Sequence, residues 1–193
     1  MRIAIVDESP ARAAVIEEGL RDAGLSDITV LVERRGLAAR LEALSPDVVL
    51  IDIENPSRDA LEELFAVSRA LARPIAMFVD QSDEHAIEAA IDAGVSAYVV
   101  DGLRRERIKS ILDLAIKRFS AFSRLRAELT EAQSALAERK TLDRAKALLM
   151  KRRGIDEPAA YAALRKAAMD SGRRIVEVAE ALITAEKLLG DMP

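Results

Sequence analysis

Hydrophobic and polar positions in residues 1–118 alternate between two patterns. Five short apolar runs, rich in β-branched residues, have the character of strands buried on both faces of a parallel sheet. A segment of helical periodicity follows each run; the first has Ser9 as a suitable N-cap and Pro10 at its first position. The five runs are RIAIV (2–6), DITVLV (27–32), DVVLID (47–52), PIAMFV (74–79) and SAYVV (96–100). Five βα repeats predict an α/β fold with a doubly wound, five-stranded parallel sheet.

Strand signals stop near residue 102, and only helical periodicity continues beyond it. A long helix is predicted over 103–153, followed by shorter helices over 156–172 and 173–189. The three helices near the end of the chain predict a small all-α bundle. Its predicted core residues are Leu142, Ala145, Leu148, Leu149, Tyr161, Leu164, Ala168, Ile175, Val178, Ala179 and Leu182.

One side of the long helix carries a narrow apolar stripe, called the seam below. Its residues are spaced 3, 4, 3 and 4 positions apart, which is the heptad spacing of a coiled coil. Because a charged helix cannot bury such a stripe alone, the spacing predicts a two-stranded coiled coil and therefore a homodimer. The alternative is that the stripe packs on its own domain. The seam consists of Phe122, Leu125, Leu129, Ala132 and Leu136.

These patterns divide the chain into three predicted parts. Residues 1–118 form the α/β domain, residues 119–138 form a coiled-coil dimerisation helix, and residues 139–190 form the helical bundle. A chain of 193 residues suits one large domain or two small ones, and half of its residues are apolar, which is enough for a buried core.

The composition argues against several classes of function. The absence of Cys excludes disulfides and thiolate metal sites, and the single His, His85, cannot form a histidine metal cluster. With no Gly-rich phosphate loop either, we do not expect an enzyme. The N-terminus MRIAIVDES does not resemble a secretory signal, and no apolar run approaches the roughly 20 residues that span a bilayer. We therefore expect a cytoplasmic protein that does not act at a membrane.

Charge is distributed unevenly along the chain. The net charge is −4, yet residues 138–174 carry eleven Lys/Arg and five Asp/Glu, a net of +6, which leaves −10 for the remainder. The stretch RAKALLMKRRG (144–154) contains five basic residues and no acidic one. This surplus indicates a polyanionic partner whose binding depends strongly on salt. The alternative is an ordinary solvated helix surface.

Three acidic residues fall at the ends of predicted strands. Asp7 and Glu8 end the first strand and Asp52 ends the third, and these strands are neighbours in a doubly wound sheet. Crowded carboxylates repel one another unless a proton or a cation neutralises them. Oxygen ligands of this kind suit Mg²⁺, and an Asp beside such a metal can attack a phosphoryl group. The alternative is that the three acids only cap strands.

The segments IVDES (5–9) and DVVLIDIENP (47–56) resemble the receiver domain of bacterial response regulators. The resemblance implies that Asp7, Glu8 and Asp52 bind Mg²⁺ and that Asp52 holds the phosphoacceptor position. It also implies that Pro56 lies in the turn after the third strand and that Tyr98 is the aromatic switch residue.

Two positions depart from the receiver pattern. Val79 stands where receivers usually have a Ser or Thr that donates a hydrogen bond to the phosphoryl group. Asp101 stands where they usually have a Lys, so the charge facing an incoming phosphate is reversed. These departures favour a pseudo-receiver used for protein contact over a working phosphoacceptor.

The residues between the basic side chains are more specific than the charge itself. RAK.LLM, LRKAAM and VAEAL, within residues 138–182, closely resemble the ANTAR domain, a three-helix RNA-binding module of transcription antitermination regulators. Ala147 stands where Gly is common in that family. GVSAYVVDGL followed by ILDLAIKRF resembles in particular the NasT group, which regulates nitrate and nitrite assimilation.

The ANTAR resemblance implies a function. A dimer would bind leader RNA that carries two adjacent hairpins and stabilise them at the expense of an overlapping terminator. The NasT resemblance implies a nitrate- or nitrite-sensing partner protein that sequesters the regulator until ligand arrives. The expected RNA-binding residues are Lys146, Arg165 and Lys166, supported by Arg144, Arg152, Arg153, Arg173, Arg174, Ala145 and Met169. Among them, Ala145 and Met169 are expected to lie closest to the core, and Tyr161 is interpreted as core instead of a base-stacking residue.

Two other functions remain open at this point. The chain could be a two-component regulator that is activated by phosphorylation of Asp52. It could also be a DNA-binding transcription factor, because three helices can form a helix-turn-helix.

Overall fold

A computed structural model describes residues 1–54, 57–101 and 103–190 of the chain. The chain divides into two compact units, Met1–Arg124 and Leu125–Pro193. Pro56, the expected turn residue, lies outside the described residues. No helix among the described residues is both long and apolar enough to cross a bilayer.

The first unit contains the predicted five-stranded parallel sheet. Its strands follow the order β2-β1-β3-β4-β5, and every neighbouring pair is parallel, as in the flavodoxin-like form of the doubly wound fold. The prediction of fold class is therefore confirmed. The strands are β1 (Ile3–Val6), β2 (Ile28–Leu31), β3 (Val48–Ile53), β4 (Ile75–Val79) and β5 (Ala97–Val100).

Helices cover both faces of this sheet. They are α1 (Pro10–Asp22), α2 (Leu37–Leu44), α3 (Arg58–Leu71), α4 (Glu84–Asp92) and the first turns of α5 (Arg105–Arg153). One core cluster packs α2, α3 and α4 on one face, and a second packs α1 and α5 on the other. β1, β3 and β4 are buried almost throughout, which explains their uninterrupted apolar sequences.

Two helices of the first unit begin at a residue whose side chain caps them. Ser57 and Asp83 accept hydrogen bonds from backbone N–H groups in the first turns of α3 and α4. The expected cap of α1 is different: Ser9 stands at the N-cap position, but its side chain makes no capping hydrogen bond. Instead, its backbone N–H donates to the Asp7 carboxylate, so this residue organises the acidic pocket.

A glycine allows α1 and α5 to approach closely. A Cβ atom at Gly19 would lie 2.8 Å from the carbonyl oxygen of Arg105, closer than real Cβ atoms come. The same side of α1 contributes Ile16 and Leu20 to the core, and both are fully buried. Gly19 therefore fixes the packing distance of the helix that leads out of the first unit.

The second unit contains the rest of α5, α6 (Glu157–Ser171) and α7 (Ile175–Gly190). The Asp156 side chain caps α6, and Gly172 ends it with φ of 65°, a left-handed conformation that suits glycine. Its buried core is a cluster of small and aliphatic residues. This cluster contains Ala145, Leu149, Ala160, Leu164 and Ala179.

The predicted core of the second unit is correct except at one position. Tyr161 is 45% exposed, so its interpretation as a core residue is wrong. Ala160, one residue earlier, is fully buried and shares a face of α6 with Leu164 and Ala168. Because adjacent helical residues point about 100° apart, a buried Ala160 leaves Tyr161 at the surface. The other predicted residues are buried or half-buried.

Candidate functional site

The acidic pocket lies at the carboxyl edge of the sheet. Val6 pairs with Ile51 in the ladder between β1 and β3, so Asp7 and Asp52 follow side by side. Both residues are only 4% exposed. They line a cleft of about 330 Å³ together with Glu8, Ser9, Arg12 and Arg34, among others.

The Asp7 carboxyl is incompletely satisfied. One of its oxygens accepts a hydrogen bond from the Ser9 N–H at 2.7 Å, whereas Oδ2 is buried and has no partner among the described residues. Burial raises the pKa of Asp7 to about 6, and the charge of the neighbouring Asp52 acts in the same direction, against the Ser9 hydrogen bond.

Arg12, in the first turn of α1, holds the second acid of the pocket. Its Nε and Nη2 atoms donate to the two carboxylate oxygens of Asp52, the latter at 2.8 Å. Its Nη1 and Nη2 atoms also donate to the two oxygens of Asp80 at 3.1 and 2.9 Å. The Asp52 side chain is fully buried and that of Arg12 is 22% exposed. These contacts raise the pKa of Arg12, with the Asp52 hydrogen bond as the largest cause.

Glu8, the third predicted magnesium ligand, is paired with an arginine of the same cleft. Its carboxylate accepts hydrogen bonds from Arg34 at 2.7 and 3.2 Å. Within the part of the chain that the structure describes, no group of three Asp, Glu or His side chains is arranged to hold a metal ion. Receiver domains as a family bind Mg²⁺ at this pocket, but the three acids do not fit a metal in the arrangement found here.

The positions that depart from the receiver pattern are placed as follows. Val79 ends β4 and is 1% exposed, so a methyl-bearing side chain packs in the core where receivers usually have a hydroxyl. Asp101 is exposed, adopts φ of 47°, and donates its backbone N–H to the Val79 carbonyl at 2.9 Å. Tyr98 is half-buried, and its hydroxyl lies 3.0 Å from that of Ser82 in the β4–α4 connection.

Arg12, its partner Asp80 and the Glu8 partner Arg34 were not anticipated from the sequence. Asp80 directly follows β4, so it obeys the same rule that located Asp7 and Asp52 at the carboxyl edge. Arg12 follows the IVDES segment by one helical turn and could have been read as a cation aimed back at the strand ends. Neither signal is specific, because Arg and Asp are common on helix surfaces and in loops.

The eight basic residues expected to bind RNA fall into two groups. Exposed side chains without an ion pair to any described carboxylate form the first group: Arg144, Arg153, Arg165 and Lys166. We call these the open cations. The second group contains Lys146, Arg152, Arg173 and Arg174, each of which pairs with a carboxylate of the same chain.

Lys146 is the most firmly paired of the expected RNA contacts. Its Nζ lies 2.7 Å from Asp143 and 2.6 Å from Glu157, and its side chain is 16% exposed. The hydrogen bond to Asp143 is the largest cause that raises the pKa of Lys146. Since Glu157 begins α6, this lysine also ties α5 to α6 and has a structural role.

Three residues spaced four apart form an exposed stripe on α6. Tyr161 is 45% exposed and Met169 is 73% exposed, with the exposed Arg165 one turn from each. The expectation that Met169 lies close to the core is therefore wrong. Ala145 is fully buried, as expected of it, and cannot touch a ligand directly.

The seam of α5 is exposed along its whole length. Phe122, Leu125, Leu129 and Leu136 are 63%, 57%, 57% and 54% exposed. Ala132 is exposed as well. The alternative that this stripe packs on its own domain is therefore not what the structure shows.

Two domain families match the chain. The response regulator receiver domain matches residues 3–113, more than half of the chain, and the ANTAR domain matches residues 130–183. The first range contains the acidic pocket, and the second contains all of the open cations. Both are regulatory domains.

Individual relatives agree with these matches. The chain is 28% identical to the transcriptional regulatory protein PdtaR of Mycobacterium tuberculosis over 182 residues, which cover 94% of this chain and 89% of that protein. It is 40% identical to the nitrate regulatory protein of Klebsiella oxytoca over 80 residues, which cover 42% of this chain but only 20% of that protein.

A solved structure supports the fold of the first unit. The signal receiver domain of a modulated diguanylate cyclase from Desulfovibrio desulfuricans G20 superimposes with a TM-score of 0.52 and 18% identity. The match covers 62% of this chain and 95% of that domain. Together with the family matches, these findings show that the chain belongs to the response regulator receiver family and carries an ANTAR domain after its receiver.

Proposed function

We propose that the protein is an RNA-binding transcription antitermination regulator. In this proposal the ANTAR domain binds a leader RNA with two adjacent hairpins and stabilises them, so that an overlapping terminator does not form. The observation that carries the proposal is that the ANTAR domain exposes both the open cations and the stripe on α6, which share Arg165.

The chemistry of this surface suits unpaired RNA bases. Phosphates attract the open cations, while an aromatic ring and a guanidinium plane offer stacking surfaces for bases in a hairpin loop. Tyr161 and Arg165 supply these two groups one helical turn apart. The bases of an RNA duplex are paired, and its major groove is too deep and narrow for side chains to read. The loops of the hairpins are therefore the favoured target.

The exposed seam supports a homodimer as the active form. Two chains joined along α5 would present two ANTAR domains, so that both hairpins of one leader could be bound together. The second binding event would then be intramolecular and would gain from a high effective concentration.

We propose that a sensor protein controls the activity of the regulator. The Klebsiella oxytoca relative is named a nitrate regulatory protein, which supports nitrate or nitrite assimilation as the regulated process. A partner that binds the receiver in one state would keep the regulator inactive until its own ligand arrives. Such control needs no phosphoryl group at Asp52.

The decisive experiment is a binding titration of the full chain at about 50 and about 200 mM salt. It compares a two-hairpin leader RNA with a DNA duplex of matched charge. We expect hairpin-selective binding that persists at the higher salt concentration. Equal and steeply salt-dependent binding to both would mean a nonspecific polyanion surface, and preference for the duplex would favour a DNA-binding factor.

A double variant tests the residues. Arg165→Ala with Lys166→Ala removes two open cations without breaking an ion pair, so helix content should not change. Each lost phosphate contact removes roughly 0.7–0.9 from the slope of log K against log salt concentration. The slope should therefore fall by about 0.8 for Lys166 alone, and by about 1.6 where the Arg165 guanidinium contacts a phosphate as well as stacking on a base. Arg35→Ala, an exposed arginine of the first unit, is the matched control and should leave RNA binding unchanged.

A further inference from the structure

Five of the six carboxylate oxygens of Asp7, Glu8 and Asp52 already accept hydrogen bonds from the protein. Both Asp52 oxygens accept from Arg12, both Glu8 oxygens accept from Arg34, and one Asp7 oxygen accepts from a backbone N–H. A divalent cation needs several oxygens turned toward a common point. Among the described residues of this set, only Oδ2 of Asp7 remains available for that purpose.

The pocket nevertheless needs a positive charge. The Asp52 side chain is fully buried and lies beside Asp7, and a buried carboxylate without a partner is strongly destabilising. Arg12 meets this need because a guanidinium stays charged and its planar N–H groups match the two oxygens of a carboxylate. It also reaches Asp80, so one cation balances acids from two neighbouring strands.

We propose that the guanidinium of Arg12 takes the place of the divalent cation in this receiver pocket. The domain then folds and acts without metal, and the carboxylate of Asp52 stays covered. This inference concerns the receiver and does not depend on the RNA-binding function proposed above.

The same contact removes Asp52 from phosphoryl chemistry. An attacking carboxylate must present an oxygen lone pair to phosphorus, and Arg12 engages both oxygens of Asp52. The groups that would hold a phosphoryl product are also replaced, since Val79 has no hydroxyl and Asp101 carries a negative charge. Arg12 therefore closes the pocket at the residue where a receiver would react.

Metal binding to the full chain tests the proposal directly. Saturable Mn²⁺ binding is followed by electron paramagnetic resonance, and the melting temperature is recorded in EDTA and in Mg²⁺ at matched ionic strength. We expect no saturable Mn²⁺ site in the wild type and no shift of its melting temperature with Mg²⁺. In Arg12→Met we expect a melting temperature lower by several degrees, saturable Mn²⁺ binding, and recovery of stability with Mg²⁺.

Two further variants separate this effect from a general loss of folding. Arg34→Met removes a cation from the same cleft but leaves Arg12 on Asp52, so it should behave like the wild type toward metal. Arg12→Met with Asp52→Asn removes both charges and should recover most of the melting temperature lost in Arg12→Met, in EDTA. This recovery can be measured even if the single variant folds poorly.

The outcomes are distinct. Saturable Mn²⁺ binding by the wild type would overturn the proposal, because the guanidinium would then yield to metal. An Arg12→Met protein that binds no metal would overturn it as well, since the acids would not be a site that Arg12 closes. Failure of the double variant to recover stability would show that Arg12 does not neutralise Asp52. RNA titrations with the same proteins report on the RNA-binding proposal independently.

Discussion

At the scale of single residues, the carboxyl edge of the sheet shows how far burial changes ordinary side chains. Asp7 and Asp52 follow adjacent parallel strands, so their proximity was predictable from the strand pattern alone. The pairing of Arg12 with Asp52 and Asp80 was not, because it depends on side chains from three elements meeting in space. Hydrophobic periodicity carries no information about such a contact.

The buried Asp7 carboxyl predicts a specific dependence of stability on pH. Its pKa is raised from 3.8 to about 6, so the native state holds this proton more tightly than the unfolded state does. The stabilising contribution of Asp7 to the free energy of unfolding is therefore fully present below about pH 4 and is lost as the pH rises through about 6. The loss amounts to roughly 3 kcal/mol at most, at about 1.4 kcal/mol for each pH unit of difference.

Denaturant unfolding of Asp7→Asn in EDTA between pH 4 and pH 7.5 measures this effect. The free energy of unfolding of Asp7→Asn should not decline over this pH range, and the variant should be more stable than the wild type at neutral pH. Glu8→Gln is the control, because it removes an exposed carboxylate of the same cleft that pairs with Arg34 and leaves the buried Asp7 in place. A decline of the same size in Asp7→Asn would show that another group is responsible.

Tyr161 gives a second prediction at this scale. Because its ring is 45% exposed beside Arg165, Tyr161→Ala should leave the fold intact and weaken binding of hairpin RNA by about 1–3 kcal/mol, the range found for a lost stacking contact. Tyr161→Phe keeps the ring and should bind nearly as well as the wild type. The salt dependence should be the same in all three proteins; a change in it would mean that the ring does not act by stacking.

At the scale of elements, the bounds and buried faces of strands and helices were predicted more accurately where an element buries more apolar volume. β1, β3 and β4 are buried on both faces, and their apolar runs located them within one or two residues. α6 buries a stripe of Ala160, Leu164 and Ala168, in which two of three residues are alanine. In the sequence, a buried stripe made mostly of alanine is hard to distinguish from the adjacent exposed stripe of the same helix. This explains why Tyr161 and Met169 were wrongly expected in or near the core.

The seam on α5 predicts the oligomeric state. Leu129→Glu places a charge in the middle of the stripe and should convert a dimer to a monomer, because a heptad core does not tolerate a buried, unpaired carboxylate. Leu129 is exposed on the single chain, so the monomeric variant should keep the helix content of the wild type. Ala127→Glu, on another side of the same helix turn, is the matched control and should remain dimeric. Sedimentation velocity distinguishes the two masses, and an unchanged mass for Leu129→Glu would refute the coiled-coil prediction.

At the scale of the whole molecule, the order of a receiver, a long helix and an ANTAR domain connects dimerisation to RNA binding. The family matches establish the first and last of these parts. If two hairpins are bound by one dimer, Leu129→Glu should weaken binding to a two-hairpin leader by about 10²–10⁴-fold and leave the affinity for one isolated hairpin unchanged. Equal affinities of wild type and variant for the two-hairpin RNA would mean that each chain binds independently.

The ion pair between Arg12 and Asp52 also affects how genetic experiments on this protein should be interpreted. Replacing the phosphoacceptor aspartate by Asn or Ala is the usual way to ask whether a response regulator is phosphorylated. In this chain the same replacement would leave an arginine, 22% exposed, without its main partner and would loosen the attachment of α1 to β3. A loss of regulation in such a strain would then report a disturbed receiver surface, and it would look the same as the loss of a phosphorylation signal. Pairing each Asp52 allele with Arg12→Met separates the two causes.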